Sequence, residues 1–242
     1  MSIKTIPNFR VLGAHMEVKE PLLYRSGNPS KVSIDEALFL KEKGIKTYID
    51  LRSDKEIKLD GRPINLIKVG INWVHLPIQG YHSYFDTIKL PSINDYVNYY
   101  KAILIASKKM TRNFVEYVIN SSEKLPLIFG CSAGKDRTGV LSAILLLVMG
   151  EEYKSIVQDY ALTSKYLLPR IDEFEDIWKK KGLSKVDYMK RIDTKRETMQ
   201  IFLQFLLKEF GTIENYFDAI GIKEKEFLIF KYKIIKGKDG YI

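Results

Sequence analysis

The stretch FGCSAGKDRTGV, residues 129–140, holds the only cysteine of the 242-residue chain, and an arginine follows it six positions later. The apolar run from Leu125 to Phe129 comes before the cysteine and is typical of a central buried strand. The apolar run from Val140 to Met149 comes after it and predicts a helix. The stretch is therefore predicted to join the carboxyl end of a strand to the N-terminus of a helix.

A loop in this position is suited to binding phosphate. Its backbone N–H groups and the positive end of the helix dipole converge at one point, where a tetrahedral dianion can sit. Glycines in the loop let the backbone approach such a ligand closely. The residues expected to bind the phosphate are Ser132, Ala133, Gly134, Lys135, Arg137 and Thr138.

Three side chains of the loop suit chemistry on a phosphate ester. The field that holds an anion also stabilises a thiolate, so Cys131 is predicted to be a nucleophile. Arg137 can give two parallel hydrogen bonds to phosphoryl oxygens, and Thr138 can donate its hydroxyl to the sulfur. The alternative is a buried structural cysteine beside a solvated charge cluster. The order Lys-Asp-Arg-Thr differs from the Gly-Lys-Ser/Thr of a nucleotide-binding loop.

The chain before this loop alternates between helix and strand patterns. Ser33-Ile-Asp-Glu36 is a capping box and predicts a helix from about Ile34 to Lys43. Alternating apolar residues from Ile45 to Leu51 predict a strand, and Arg52-Ser53-Asp54 is predicted to be the loop that leaves its carboxyl end. A second strand is predicted from Ile71 to Leu76.

Helices are predicted to begin near Ser92 and Thr111, and the chain past Gly150 is helical in its apolar spacing. Strands separated by helices indicate an α/β layered fold. Because the sequence contains no repeat, low-complexity tract or flexible linker, residues 1–242 are predicted to form one domain.

Composition narrows the class of protein without identifying the ligand. Lys and Arg number 39 against 30 Asp and Glu, a net charge of +9 that is compatible with an anionic partner. A nucleic-acid partner is not predicted, because the sequence has no recognisable base-stacking motif. The N-terminus lacks the apolar core of a signal peptide and no apolar run is long enough to span a bilayer, so a cytoplasmic protein is predicted.

The loop from Cys131 to Gly139 resembles the signature loop of cysteine-dependent phosphatases, most closely the bacterial tyrosine-phosphatase family. Other segments are similar to this family in the same order along the chain. They are Asn8-Phe-Arg10, Leu23-Tyr-Arg-Ser-Gly27, Ile49-Asp-Leu-Arg-Ser53, His75-Leu-Pro-Ile78, Asp159-Tyr160, Tyr166-Leu167 and Phe210-Gly-Thr-Ile-Glu-Asn-Tyr216.

The resemblance implies a phosphotyrosine-phosphatase-like fold, with a parallel-rich sheet of four to five strands flanked by helices on both faces. It implies hydrolysis through a phosphocysteine intermediate, without a metal or other cofactor, and a loop that accepts phosphate, sulfate or vanadate. The implied substrates are phosphotyrosine, often with phosphoserine, phosphothreonine or phosphoinositides. Some relatives carry a helical lid after the signature loop, which corresponds here to Lys165 to Arg196 within a helical extension of about residues 160–220.

The identity of the general acid is left open by the sequence. The resemblance points to Asp136 inside the loop, as acid and then as base. Other cysteine phosphatases supply the acid from a mobile loop upstream, for which Asp86, in the segment from Gly80 to Leu90, and Asp95 are the candidates. Asp95 also suits the first turn of a helix.

Two cations near the site have alternative interpretations. The resemblance associates Lys135 with phosphoinositide or broad specificity as a second cation at the site, and the alternative is a solvated lysine at the rim. Arg52 lies at the carboxyl end of a predicted strand, where α/β folds bind ligands, and is either a rim residue or the partner of a nearby carboxylate.

Gly130 departs from the family pattern, which has a histidine immediately before the nucleophile. A glycine supplies no side chain to orient the loop or stabilise the thiolate, so slower turnover is expected. A catalytically weak or inactive phosphate-binding pseudophosphatase is the alternative function. His75 and His82 could compensate in space or could simply be solvated or hydrogen-bonded.

Overall fold

The structure is a computed structural model and describes residues 3–14, 20–79, 85–120 and 122–236, without the side chains of Asp86 and Ser122. Within these residues five strands form one sheet in the order β1-β2-β5-β3-β4. The strands are β1 Arg10–Val11, β2 Leu23–Ser26, β3 Thr47–Asp50, β4 Asn72–His75 and β5 Leu127–Gly130.

Helices make up most of the remaining described chain. The α-helices are α1 Ile34–Glu42, α2 Asp54–Asp60, α3 Ile64–Lys68, α4 Ile93–Ala106, α5 Lys108–Ile119, α6 Asp136–Met149, α7 Tyr153–Leu167, α8 Glu175–Lys180, α9 Lys185–Ile192, α10 Arg196–Phe210, α11 Ile213–Ala219 and α12 Glu224–Lys236. Short 3-10 helices lie at Phe85–Thr87, Ser122–Lys124 and Leu168–Phe174.

The strand before the cysteine is the centre of the sheet. β5 pairs in parallel with β2 on one side and with β3 on the other, and all four of its residues are buried. A strand covered on both faces needs apolar side chains in both directions, which explains the unbroken apolar run. Because β5 ends at Gly130, Cys131 lies at the carboxyl edge of the sheet.

Helices cover both faces of the sheet. The larger apolar core lies on the face of α6 and includes Phe129, Leu141 and Phe202. The smaller core lies on the other face and joins Ile128 of β5 to Leu40 of α1 and neighbouring residues. The predicted α/β fold, with a mostly parallel central sheet flanked by helices, is confirmed.

One predicted helix start is confirmed and two regions differ from their predictions. Ser33 caps α1 as predicted, with the reciprocal bonds of a capping box to Glu36. Thr111 was wrong as a helix start, because α5 already begins after Ser107 and Thr111 is buried inside it. The predicted loop Arg52-Ser53-Asp54 is shorter than expected, because Ser53 caps α2 through a second capping box.

The chain after α7 packs over the signature loop. Residues 168–192, called the extension below, share a third apolar cluster with Leu167 at the end of α7, and Ala133 of the loop packs against it. The members of this cluster are Leu167, Ile171, Phe174, Leu183, Tyr188 and Ile192. The helix α10, although inside the predicted range of about 160–220, contributes Met199 and Phe202 to the main core instead. Among the described residues no helix is long and apolar enough to cross a bilayer.

Candidate active site

Outward hydrogen bonds fix the peptide groups of the signature loop. The carbonyl of Ser132 accepts from the backbone N–H of Asn28 at 2.9 Å. The carbonyl of Gly134 accepts from the Asn8 side chain at 2.7 Å and from Arg25 at 2.9 Å, and the carbonyl of Ala133 accepts from Asn8 at 3.3 Å. In a trans peptide the C=O and the next N–H point in opposite directions. The N–H groups that follow these three carbonyls therefore point away from Asn8, Arg25 and Asn28.

The loop backbone is pressed closely against the end of β2. Gly134 adopts a left-handed φ of +67°, and a Cβ at this position would collide with the Ser26 carbonyl and lie 2.5 Å from its carbon. Only glycine adopts this φ without strain and also leaves room for the Ser26 carbonyl. The loop then continues into α6, whose N-terminal N–H groups face the same end of the sheet, as phosphate binding requires.

A buried ion cluster supports the loop from below. Asp159 of α7 pairs with Arg25 at 2.5 Å and with Arg10 at 3.7 Å, and all three side chains are almost fully buried. Burial, together with the charge of Arg25, lowers the pKa of Arg10 to about 9 despite the opposing effect of Asp159. Removal of Asp159 would leave two buried guanidinium groups uncompensated, which is strongly unfavourable.

Cys131 follows β5 directly and is 3% exposed. The hydroxyl of Thr138 donates to its sulfur at 3.1 Å. Because Thr138 lies in the first turn of α6, the same helix N-terminus that would bind a phosphate also faces the sulfur. The arrangement places a hydroxyl donor and the N-terminus of α6 beside the sulfur.

Arg137 is fixed by a carboxylate that the sequence analysis did not identify. Its two terminal nitrogens donate to the two oxygens of Glu56 at 2.6 Å and 2.5 Å. The Ser132 hydroxyl donates to the same carboxylate. Burial alone would raise the pKa of Glu56, but the hydrogen bonds and charge of Arg137 hold it well below its usual range. The bidentate pair sets the plane of the guanidinium, which carries five N–H donors in all.

The sequence offered a signal for Glu56. Ser53-Asp-Lys-Glu56 has the spacing of a capping box, which predicts a helix immediately after β3. In the structure Glu56 accepts from the Ser53 backbone N–H at 2.7 Å while also holding Arg137. The cap of α2 therefore positions the carboxylate beside the loop.

Asp136 lies at the first residue of α6, and its side chain is 27% exposed. The Tyr100 hydroxyl donates to its Oδ1 at 2.8 Å and lies 2.7 Å from the Tyr160 hydroxyl. Burial raises the pKa of both tyrosines, so they stay protonated donors. The Asp136 carboxyl is thus held through its Oδ1.

Lys135 does not lie at a solvated rim. The residue is 2% exposed, and its ammonium donates to the backbone carbonyl of Arg191 in α9. The ammonium also lies 4.2 Å from the ring centroid of Tyr96 and 3.7 Å from Oδ1 of Asp136. The structure therefore brings Lys135 to Asp136 and to the extension.

Arg52 is fully buried and is the partner of a carboxylate, one of the two alternatives left by the sequence. Its Nε and Nη2 donate to Asp50 at 3.0 Å and 2.8 Å, and Nη2 also donates to the Gly61 carbonyl at 3.1 Å. A guanidinium enclosed in this way holds β3 to the end of α2. Its contacts are structural ones.

Of the other candidates for the acid or for a compensating histidine, the structure describes the side chains of Asp95 and His75 but not those of Asp86 and His82. Asp95 completes the capping box of α4, and hydrogen bonds from Ser92 lower its pKa. Asp86 lies in the 3-10 helix Phe85–Thr87, but its side chain is outside the described part, as is His82 altogether. His75 hydrogen-bonds to the Arg52 carbonyl at 2.7 Å. None of the described contacts joins these groups to Cys131.

Gly130 occupies a position where no side chain fits. A Cβ here would collide with the Tyr48 hydroxyl and would lie 2.6 Å from the Ser26 carbonyl oxygen and 2.7 Å from the Ser26 hydroxyl. Tyr48 is fully buried, and its hydroxyl donates to the Gly27 carbonyl at 3.1 Å. Tyr48 of β3 thus fills the space that a side chain at position 130 would need.

Comparison with known proteins gives a consistent classification. A family model described as the tyrosine phosphatase family matches residues 1–235. A protein of Cupriavidus necator whose name assigns it to the tyrosine-protein phosphatases is 25% identical over 181 residues, which cover 66% of this chain and 61% of that protein. A tyrosine-protein phosphatase of Nostoc commune is 44% identical over 41 residues, 17% of this chain and 14% of that one. The matches thus span less than two thirds of these relatives.

Similar solved structures include those of a phosphatase and of TpbA. The catalytic core of the PP-IP phosphatase Siw14 from S. cerevisiae, in complex with citrate, has a TM-score of 0.41 at 17% identity and covers 75% of this chain and 96% of that one. TpbA of P. aeruginosa has a TM-score of 0.31 at 16% identity and covers 58% of this chain and 68% of that one.

Proposed function

Because the chain belongs to the tyrosine phosphatase family, we propose that it hydrolyses phosphate monoesters through a phosphocysteine intermediate on Cys131. Its main support is that Cys131 follows the central strand, that Thr138 in the first turn of α6 donates to its sulfur at 3.1 Å, and that Arg137 in the same turn is held by Glu56. A thiolate, an anion cradle and a fixed guanidinium are what thiolate attack on a phosphate ester requires.

In the first step the Cys131 sulfur forms a bond to phosphorus while the bond from phosphorus to the leaving oxygen breaks. The electron pair passes to that oxygen, which takes a proton from Oδ2 of protonated Asp136. Tyr100 holds the other carboxyl oxygen at 2.8 Å and so orients the proton donor. Arg137 and the loop amides stabilise the charge on the equatorial phosphoryl oxygens.

In the second step a water oxygen attacks phosphorus and the sulfur–phosphorus bond breaks. The electron pair returns to Cys131 as thiolate, and the Asp136 carboxylate takes a proton from the water. The hydroxyl of Thr138, 3.1 Å from the sulfur, stabilises the thiolate as it leaves. The products are an alcohol or phenol and inorganic phosphate.

Phosphotyrosine is the proposed substrate, with phosphoserine, phosphothreonine or phosphoinositides as further ones. The family description and the name of the C. necator relative both refer to tyrosine phosphatases, which supports phosphotyrosine, an aryl ester, as the main substrate. The cytoplasmic location stays a prediction.

The second candidate is a phosphate-binding protein without turnover, motivated by Gly130. This alternative is weakened because Tyr48 and Ser26 already fill the space beside Gly130 at the end of the strand. A loop that is held from β2 and β3 does not depend on a side chain at position 130 for its shape.

The test is a side-by-side turnover assay on a phosphotyrosine peptide, a phosphoserine peptide and phosphoinositides, with wild type and Cys131→Ser. The proposal expects hydrolysis that vanadate inhibits and that disappears in the variant. Binding of the phosphopeptide without release of phosphate by the wild type would support the second candidate. Turnover that persists in Cys131→Ser would exclude the assigned nucleophile.

A further inference from the structure

We propose that Lys135 is a positioning residue that couples the extension to the candidate acid Asp136, and that its ammonium does not bind a second phosphate group of the substrate. The proposal rests on the proposed function for the role of Asp136. The coupling itself rests only on contacts within the protein.

The first observation is the enclosure of the ammonium. Lys135 is 2% exposed although it begins within the signature loop. Its charged end is surrounded by the Tyr96 ring at 4.2 Å, the Asp136 carboxylate at 3.7 Å and the Arg191 carbonyl. A buried ammonium is stable only when hydrogen-bonded and compensated by charge, and these groups supply both. To reach a ligand in solution, Lys135 would have to give up all three contacts.

The second observation is the nature of the acceptor. The Arg191 carbonyl belongs to the last turn of α9, where carbonyls have no partner within the helix and the dipole is negative. The Tyr96 hydroxyl donates to the same carbonyl at 2.7 Å. Lys135 and Tyr96 therefore cap α9 together, and the cap joins the extension to the loop and to α4.

The third observation is that the same helix end is held from a second direction. The guanidinium of Arg191 donates to the backbone carbonyl of Ile88, and its carbon lies 5.1 Å from the ring centroid of Phe85. The end of α9 is thus fixed between the loop and the segment after Phe85. Burial would lower the pKa of Lys135, but the charge of Asp136 and the nearby tyrosines keep it raised, so the ammonium persists across the working pH range.

Together these contacts make the orientation of Asp136 depend on the extension. Tyr100 and Lys135 both approach Oδ1 of Asp136, and the position of the lysine is set by α9. If α9 moves away, the ammonium loses its acceptor and one of the two groups that orient the carboxyl. Misplacement of a general acid lowers the rate of the chemical step more than it weakens substrate binding.

The test compares Lys135→Met with Lys190→Met, which makes the same substitution at an exposed position of α9. Hydrogen exchange of residues 168–192 and the kinetics on a phosphotyrosine peptide and a soluble phosphoinositide are measured for each. Lys135→Met is expected to lose exchange protection in the extension and to lower kcat by about tenfold or more on both substrates, with KM little changed. Lys190→Met is expected to match the wild type.

Two results would overturn the proposal. One is unchanged exchange protection in Lys135→Met. The other is a rise in KM confined to the phosphoinositide, which would assign the lysine to the substrate. If the wild type shows no turnover, the proposed function fails while the exchange data still decide the coupling. Tyr96→Phe removes one donor to the Arg191 carbonyl and keeps the ring, and it should lower protection even if Lys135→Met does not fold.

Discussion

Replacement of Gly130 by alanine is predicted to impair both stability and turnover, although it adds only a methyl group. The new Cβ would lie 2.6 Å from the Ser26 carbonyl oxygen, whereas ordinary carbon–oxygen contacts in sheets begin at about 3.3 Å. The paired strands β2 and β5 must therefore separate locally by about 0.7 Å. Overpacking of this kind costs about 1–3 kcal/mol of unfolding free energy. A displacement approaching 1 Å beside the nucleophile lowers kcat/KM by roughly 10-fold to 100-fold.

The assays are urea unfolding and hydrolysis of a phosphotyrosine peptide. Gly150→Ala is the matched control, because Gly150 has a φ of +88° and no atom lies within 4 Å of the added Cβ. It should lose about 1 kcal/mol from backbone strain and keep its activity. Gly130→His, whose side chain is larger, should be worse than Gly130→Ala. Wild-type stability and turnover in Gly130→Ala would show that this position tolerates a Cβ, contrary to the crowding described, and activity gained in Gly130→His would favour the phosphate-binding candidate.

Three further predictions concern the loop and its partners. Glu56→Gln should lose about 2 kcal/mol of unfolding free energy at neutral pH. Since the pKa of Glu56 is lowered from 4.5, its ionised carboxylate stabilises the folded state fully above pH 4.5, and this stabilisation is lost as the pH falls further. The difference in unfolding free energy between variant and wild type should therefore be smaller in urea unfolding at about pH 3. Asp136→Asn should lower kcat/KM, which reports the step that releases the leaving group, by about 100-fold or more on phosphotyrosine and much less on p-nitrophenyl phosphate, whose leaving group needs no proton; equal losses of kcat/KM on both substrates would argue against an acid. Thr138→Val should slow alkylation of Cys131 by iodoacetamide at neutral pH, and an unchanged rate would show that the hydroxyl does not stabilise the thiolate.

The centre of the fold could be predicted from sequence because its signals are local. The apolar run before Cys131 and the apolar helix after it are contiguous in the chain, so their order and types follow from spacing. The short strands β1 and β2 gave no such signal, since β1 has only two residues and β2, Leu-Tyr-Arg-Ser, has two polar residues after its Leu and Tyr and does not alternate. Their motifs entered only through the family resemblance.

The partners of the loop could be predicted only where a local pattern marked them. Glu56 was available from the capping box that begins at Ser53, and the reason for missing it was the interpretation of Ser53 as part of a loop. The burial of Lys135 depends on Arg191, 56 residues away in sequence, and on the path of α9. The crowding at Gly130 depends on Tyr48 in a neighbouring strand. Long-range packing of this kind has no signature in a single sequence.

During turnover the Cys131 sulfur is expected to become covalently bonded to phosphorus. Acid quenching of the wild-type protein and of Asp136→Asn during reaction with p-nitrophenyl phosphate, followed by mass spectrometry of the peptide that contains Cys131, tests this directly. A phosphoryl group is expected on that cysteine, and more of it in Asp136→Asn, because formation of the intermediate from this ester needs no acid whereas its hydrolysis lacks the base. Release of phosphate with no phosphorylated Cys131 in either protein would contradict it.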